Sequence, residues 1–407
     1  MRVLIVSQYF WPESFRINDV AKTLVEKGMA VDVLTGQPNY PEGVIFEGYR
    51  AGACQQESWD GLNIHRVPMA PRRKRGALNL VFNYLSFVVS ASTLGVWMLR
   101  GKRYDVILAY GTSPILQAIP ALVIGWLKKR KVAIWVQDLW PESLEATGYV
   151  RSPRALAMVG VAVKAIYART DLLLVQSQAF VPRVREMAGG TPVVYYPNSV
   201  DPVFSAAAGS PSPPIPVLDS DAFCVVFAGN IGAGQAVETI VDAATLLRGR
   251  PDIQFVVVGQ GSRQQWMGEE ATRRGLTNLH LPGRFSVELM PGLMQKASAL
   301  LVTLTDQPIF AATIPNKIQA YMASGRPIIA CLNGEGARVV AEAGAGLAVP
   351  AENAPALADA VLRLAVMTAG ELAELGASGQ RYFKAHFDHD MLTEQLAGHL
   401  RTLAESS

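Results

Sequence analysis

The sequence predicts an α/β protein built from two Rossmann-like domains in tandem. Three observations predict it. A length of 407 residues suits two cores of ordinary size. Short β-branched runs alternate with helical patterns. That alternation is broken once by a Pro/Ser-rich stretch and then restarts. Half of the residues are apolar and 17% are charged, which is enough apolar content to fill two large cores and excludes a disordered chain.

The first domain, residues 1–205, opens with a strand at 3–6, a helical pattern at 18–28 and a strand at 31–34, a βαβ unit. Further strands at 106–109, 132–136 and 172–175 have the unbroken apolar character of parallel strands covered on both faces. Residues 206–221, AAAGSPSPPIPVLDSD, suit neither a helix nor a central strand and read as the interdomain linker. In the second domain, 222–378, strands at 224–228, 253–259, 279–281, 300–304 and 327–330 alternate with helices at 237–247, from 262, at 289–297 and at 316–324. The last segment, 379–407, is helical by pattern over 381–403 and has no strand after it, so it is free to cross back onto the first domain.

Cys54, Cys224 and Cys331 show neither a metal spacing nor a disulfide pattern, which fits a reducing cytosol. The opening MRVLIVSQYFWPES lacks the plan of a signal peptide, so no translocation is expected. Residues 1–205 carry 23 Lys and Arg against 15 Asp and Glu, a net of +8, and the rest carry 14 against 19, a net of −5. Only the first half is drawn to anionic surfaces, and nothing points to nucleic acid.

Residues 77–99 contain no charge, and as a helix they would reach about 35 Å, the span of a bilayer. Basic clusters flank the run on both sides, Arg72, Arg73, Lys74 and Arg75 before it and Arg100, Lys102 and Arg103 after it. A crossing helix shows a one-sided excess instead. A helix lying in the interface explains both ends, with Phe82, Tyr84, Phe87 and Trp97 toward lipid and the cations on head groups. The second apolar run, 115–127, is followed by Lys128-Lys129-Arg130-Lys131 and repeats the theme. A buried core helix and a true span are the competing readings.

Several segments carry possible chemistry. After the strand at 224–228 comes Gly229-Asn230-Ile231-Gly232-Ala233-Gly234-Gln235, where bare backbone and a helix N-terminus suit a phosphate. Gly259 follows the next strand in the same way. Either stretch is equally a tight turn. Lys317 stands in the first turn of a helix, against the helix dipole, and a cation beside free backbone amides of the segment Thr313-Ile314-Pro315-Asn316 suits a departing diphosphate. Glu335, between Gly334 and Gly336, is placed on a loop where a carboxylate reaches ribose hydroxyls, or serves as an ordinary surface group. In the first domain Asp138 and Glu142 follow the carboxyl end of a strand, as Glu13, Ser14 and Arg16 follow the first strand. Open α/β sheets bind ligands there, and acceptor binding, acid/base work and helix capping compete for these residues. The five histidines have no ligand spacing, and no P-loop or G-x-S-x-G elbow occurs.

Five of these segments in this order resemble glycosyltransferase family 4, the retaining enzymes of GT-B fold, over essentially the whole chain. They are residues 9–16 with 18–21, the DLWPES stretch at 138–143, YPNSVD at 196–201, residues 227–235, and 315–327 with Gly334-Glu335. Within that family the chain is similar to the group that builds bacterial lipopolysaccharide O-antigen, capsule and colanic-type exopolysaccharide, N-acetylfucosamine transferases included. The resemblance implies a UDP-sugar donor bound by the second domain, its diphosphate near Gly232, Gln235 and Lys317 and its nucleotide near Glu335. It implies acceptor binding by the first domain, with the two domains facing a central cleft.

Two departures stand out. Many members have Arg and Lys where this chain has Asn230 and Gln235, so phosphate charge falls on Lys317, with Arg284 or Arg16 in support. Members also carry two glutamates where Ala312 and Ala320 stand here, which shifts the holding of the donor sugar to the amides of 313–316. The expected function is transfer of a sugar from a UDP-sugar to a polyprenyl-diphosphate-linked saccharide. The site is an anionic membrane surface at the cytoplasmic face of a bacterial inner membrane, and no cofactor or metal takes part. A membrane-tethered binding protein and a sugar-nucleotide 2-epimerase are the rivals.

Overall fold

The computed structural model describes residues 1–72, 77–146, 152–204 and 210–406. The chain forms two compact units, residues 1–197 with 390–407, and residues 198–389.

In the first unit the described strands are β1 (Arg2–Val6), β2 (Ala30–Thr35), β3 (Gln55–Trp59), β4 (Leu62–Arg66), β5 (Val106–Gly111), β6 (Val132–Val136), β7 (Leu172–Val175) and β8 (Val193–Tyr195). They form one sheet in the order β3-β4-β2-β1-β5-β6-β7-β8. Pairing is parallel except at the β3–β4 hairpin. The central strands are buried on both faces, which explains why each reads as a continuous apolar run. One face packs on the helix Arg16–Glu26 and on Leu392, Leu396, Ala397 and Leu400. The other is covered by the helical run that begins Ala77–Ser90 and ends Val96–Met98, and by helices Ala118–Lys128 and Pro153–Tyr167. Two glycines allow this close packing. A side chain on Gly95 would meet Leu34 at 2.9 Å, and one on Gly125 would meet Val132 at 2.5 Å.

The second unit has β9 (Phe223–Ala228), β10 (Ile253–Val258), β11 (Leu279–Gly283), β12 (Ala299–Thr303), β13 (Ile328–Cys331) and β14 (Gly346–Val349) in the order β11-β10-β9-β12-β13-β14, all parallel. Separate buried layers fill its two faces. The expected α/β class with two Rossmann-like domains is what the chain forms.

The domain limits differ from those expected. Residues 210–221 are no free linker, because Ile215 and Leu218 are buried in the core of the second unit around the turn Pro216–Asp219. Residues 206–209 lie outside the described residues. The closing helical segment is two helices rather than one. Ala369–His386 stays with the second unit through Phe383 and Phe387, and His389–Glu405 supplies the apolar stripe of the first.

Candidate functional site

In the second unit the structure gathers Gly229, Gln235 and Lys317 at the carboxyl end of β9. Lys317 is the second residue of the helix Asn316–Ser324. One turn further on, Tyr321 points the same way, and its hydroxyl accepts the Ala228 N–H at 2.9 Å, fastening this helix to the end of β9. The Lys317 stem lies over Gly229, where a side chain would meet its Cε at 2.5 Å. Its ammonium sits 3.6 Å from the centre of the Phe227 ring and donates to the Gln235 carboxamide. These are neutral partners, so burial dominates and lowers the Lys317 pKa to about 7. An arriving anion would reverse that shift.

The glycines are explained mostly by backbone approach. Gly259 has φ 145°, and a side chain there would strike the Gly229 carbonyl at 1.8 Å. The loops after β9 and β10 are stitched together by Ile231 N–H to Gln260 O at 2.8 Å and Arg263 N–H to Ile231 O at 2.9 Å. Gly232 is buried beside the exposed Asn230, with no room for a side chain against the Asn230 amide. The helix expected at 237–247 is formed, one residue shorter at its end. A 3-10 turn Ala233–Gln235 and Ala236, with φ 45°, precede the helix Val237–Leu246.

The line of free amides over Thr313–Asn316 is also shorter than expected. Thr313 donates its N–H to Phe310 O at 3.2 Å, and Pro315 has none, so those of Ile314 and Asn316 remain. Ile314 is buried. Glu335 is not on a loop. It opens the helix Glu335–Glu342, where a carboxylate complements the dipole, and it is bound through both oxygens by Arg338 at 3.0 and 3.1 Å. Arg284 is exposed just after β11, the edge strand two places from β9, and no contact joins it to Lys317. Ala320 is buried in the core, and Ala312 ends the short helix Pro308–Ala311.

In the first unit the expected carboxylates stand at the carboxyl ends of strands, each with a positional task. Glu13 is 2% exposed and accepts the N–H groups of Asn39 and Tyr40 at 2.7 Å and of Phe10 at 3.2 Å, joining the loops after β1 and β2. Burial raises its pKa to about 7 against those bonds. Asp138 accepts the Ser113 N–H at 3.0 Å and hydroxyl at 2.8 Å, and burial raises its pKa. Glu142 opens the helix Glu142–Ala146 and pairs with Arg183 at 2.6 Å. Arg16 pairs with Asp19 at 2.7 Å, and Ser14 is exposed. Ser113 and Arg183 were not foreseen, because neither has a local signal and both partners come from distant loops.

The expected lipid-facing residues divide. Phe82 and Trp97 are 65% and 59% exposed, Tyr84 is half-buried, and Phe87 is buried. Phe87 is therefore a core residue, because the helix turns one side of Asn83, Phe87, Ser90 and Ala91 to the sheet. Two of these inward residues are polar and tie the helix to the rest of the unit. Asn83 accepts from Gln8 at 2.8 Å and from the Tyr9 hydroxyl at 2.9 Å, and Ser90 donates to the Pro68 carbonyl. The outward side carries Val81, Phe82, Leu85, Val89, Leu94 and Trp97. Arg72 is not turned outward but lies over the Tyr40 ring, 5.5 Å from its centre. Arg73, Lys74 and Arg75 lie outside the described residues.

The family model "Glycosyl transferase 4-like domain" matches residues 14–199, and "Glycosyl transferases group 1" matches residues 222–366. The chain is 24% identical over 341 residues to the putative colanic acid biosynthesis glycosyl transferase WcaI of Escherichia coli K12, covering 80% of this chain and 82% of that one. Its fold is similar to that of sucrose-phosphate synthase from Thermosynechococcus elongatus, with TM-score 0.71, 18% identity, and 100% and 99% of the two chains covered. It is also similar to HepE of Anabaena, solved in complex with UDP, with TM-score 0.66, 14% identity, and 99% and 100% covered. With one domain model on each unit and a two-sheet architecture shared along its length, the chain belongs to the glycosyltransferases of GT-B fold.

Proposed function

We propose that this glycosyltransferase moves a sugar, with retention of anomeric configuration, from a UDP-sugar to a saccharide carried on a polyprenyl diphosphate. The product would be a repeat unit of a bacterial surface polysaccharide, made at the cytoplasmic face of the inner membrane. The observation that carries the donor half is the Lys317 ammonium, held above the bare backbone of Gly229 by Gln235 and Phe227. In transfer, the bond from the anomeric carbon to the donor's diphosphate breaks, the acceptor hydroxyl oxygen takes its place, and the hydroxyl proton passes to the departing diphosphate. Negative charge then grows on the leaving diphosphate. A preorganised cation in a partly dry site stabilises that charge without reorganising, and the amides of Ile314 and Asn316 lie three residues and one residue before it. HepE of Anabaena was solved with UDP, and WcaI is named for colanic acid biosynthesis. The first supports a UDP donor and the second a polysaccharide product.

The acceptor half rests on the surface of the first unit. Ten of the fourteen large apolar side chains exposed among the described residues lie on three helices covering one face of its sheet. Such a patch on a water-soluble face is unfavourable unless something covers it, and a lipid-borne acceptor requires an enzyme seated on lipid. The helix over residues 79–98 is apolar and long enough to cross a bilayer, but its inward side is tied to the protein fold through Asn83 and Ser90, which suits lying in the interface.

The test is turnover. Purified protein is given UDP- and GDP-sugars, an N-acetylated deoxyhexosamine among them, with a lipid-diphosphate-linked monosaccharide in anionic vesicles. Transfer from a UDP-sugar without added metal, undiminished by EDTA, is the expected result. UDP binding with no turnover on any donor would instead make the chain a binding protein, with Ala312 and Ala320 marking lost chemistry.

A further inference from the structure

Between helices Ala118–Lys128 and Pro153–Tyr167 the first unit has a surface slot of about 1000 Å3, walled by Ile119, Leu122, Val123, Trp126, Ala162 and Ile166. That is the top of the roughly 300–1,000 Å3 range of small-ligand pockets. These walls are mostly apolar, so the slot favours an apolar occupant.

The mouth has the opposite character. Lys129, Arg130 and Lys131 come from the turn before β6, and Arg169 comes from the end of the other helix, against one carboxylate, Asp171. Asp171 is committed. It accepts Lys131 Nζ at 2.9 Å and the Val132 N–H at 2.8 Å. Arg169 donates to its own helix carbonyl, Ala165 O, at 2.9 Å. Lys129 and Arg130 are exposed, with no ion pair among the described residues. A slot for an alkyl chain under unneutralised cations is complementary to an anionic lipid.

We infer that this slot binds the acyl chain of an anionic membrane phospholipid, with its phosphate on Lys129 and Arg130. The inference rests on the membrane-seated reading above and adds a defined site to it. Trp126 in its wall is exposed, and Leu127, Met158 and Val161 are exposed on the same two helices, so the slot lies on the surface assigned to lipid. The position argues against the acceptor's own chain. Lys131 and Asp171 immediately precede β6 and β7, whereas Asp138 and Glu142 follow the far end of β6. Five residues of strand separate those ends, about 17 Å. A diphosphate bonded directly to the reacting saccharide does not reach both.

The experiment uses the full chain and dihexanoyl phosphatidylglycerol below its micelle-forming concentration, followed by calorimetry. One lipid per chain is expected, at least tenfold weaker binding for Ala162→Trp, which fills the slot, and a several-fold loss for Lys129→Ala with Arg130→Ala. Dihexanoyl phosphatidylcholine should bind several-fold more weakly. The surface pair leaves the core untouched, so a folding defect in the tryptophan variant does not hide the answer. No binding by the unaltered chain, binding unmoved by either variant, or equal binding of the zwitterionic lipid overturns the site. Tighter binding of geranyl diphosphate than of phosphatidylglycerol overturns the occupant. Co-sedimentation with phosphatidylglycerol vesicles reads the membrane-seated surface separately. Chains that bind the monomeric lipid but do not sediment keep the slot and lose that surface.

Discussion

The two units share one architecture, a mostly parallel sheet with helices on both faces, and they differ in what those helices turn outward. In the second unit the outer faces are laced with ion pairs, Arg274 with Glu270 and Asp242, and Arg338 with Glu335 and Glu342. Large exposed apolar side chains there, among the described residues, are Leu246, Val287 and Val366. In the first unit one face exposes ten, across three neighbouring helices. The fold does not require such a surface, since the second unit does without it. The difference teaches that the fold does not set the apolar face; on the function proposed above, that face answers to the environment of the first unit, and the Lys317 ammonium, among its neutral partners, to the reaction.

That division can be broken by variants that touch one unit and are read in both assays. Lys317→Ala should lower transfer about a thousandfold, the usual order for losing a preorganised charge-stabilising group, while vesicle binding stays unchanged. The fold should hold, because the substitution removes an amine whose charged form burial disfavours. Phe82→Glu with Leu85→Glu and Val89→Glu should weaken vesicle binding a hundredfold or more, since each loses roughly 1.5 kcal/mol or more of apolar burial in lipid. UDP affinity should not move. The matched control, Leu246→Glu with Val366→Glu in the second unit, should leave vesicle binding as it was.

Smaller effects sharpen the cradle itself. Because burial lowers Lys317 to about 7 and a diphosphate favours its charged form, UDP affinity should be level below pH 7. It should fall as pH rises above that, by up to about tenfold per unit until the bound lysine itself titrates. Calorimetry across pH reads this, and Lys317→Met should abolish the slope. Tyr321→Phe leaves the Ala228 N–H without its hydroxyl partner, a loss of about 1–3 kcal/mol in chemical denaturation, with a modest fall in kcat as the helix bearing Lys317 loosens.

Much of this was legible in the residues. The central strands announced themselves because parallel strands buried on both faces are continuous apolar runs, as at β5 and β6. The hairpin β3–β4 was missed because Gln55, Glu57, Asn63 and His65 break the apolar pattern. The Asp60-Gly61 turn, both residues at positive φ, was the available signal. The linker was misread because proline and serine dominated its composition while two apolar residues, Ile215 and Leu218, fixed it to the core.

The candidate site was legible as positions rather than as partners. Lys317 stood out because a cation in a first turn is locally unfavourable, and such a conflict marks a functional place more often than a structural one. Its Phe227 contact is set by the meeting of β9 with a helix ninety residues later, which no local pattern encodes. Phe87 was misassigned because the uncharged run 77–99 has apolar residues on every side. Only the hydrogen bonds of Asn83 and Ser90 fix which side faces inward.

Transfer by the unaltered chain and by Lys317→Ala, from one UDP-sugar to a lipid-diphosphate-linked saccharide in phosphatidylglycerol vesicles, tests the central claim most directly. The unaltered chain should form the glycosylated lipid, and the variant should lose about a thousandfold in rate while remaining folded and vesicle-bound. Equal rates for the two chains, or no transfer by either, would contradict it.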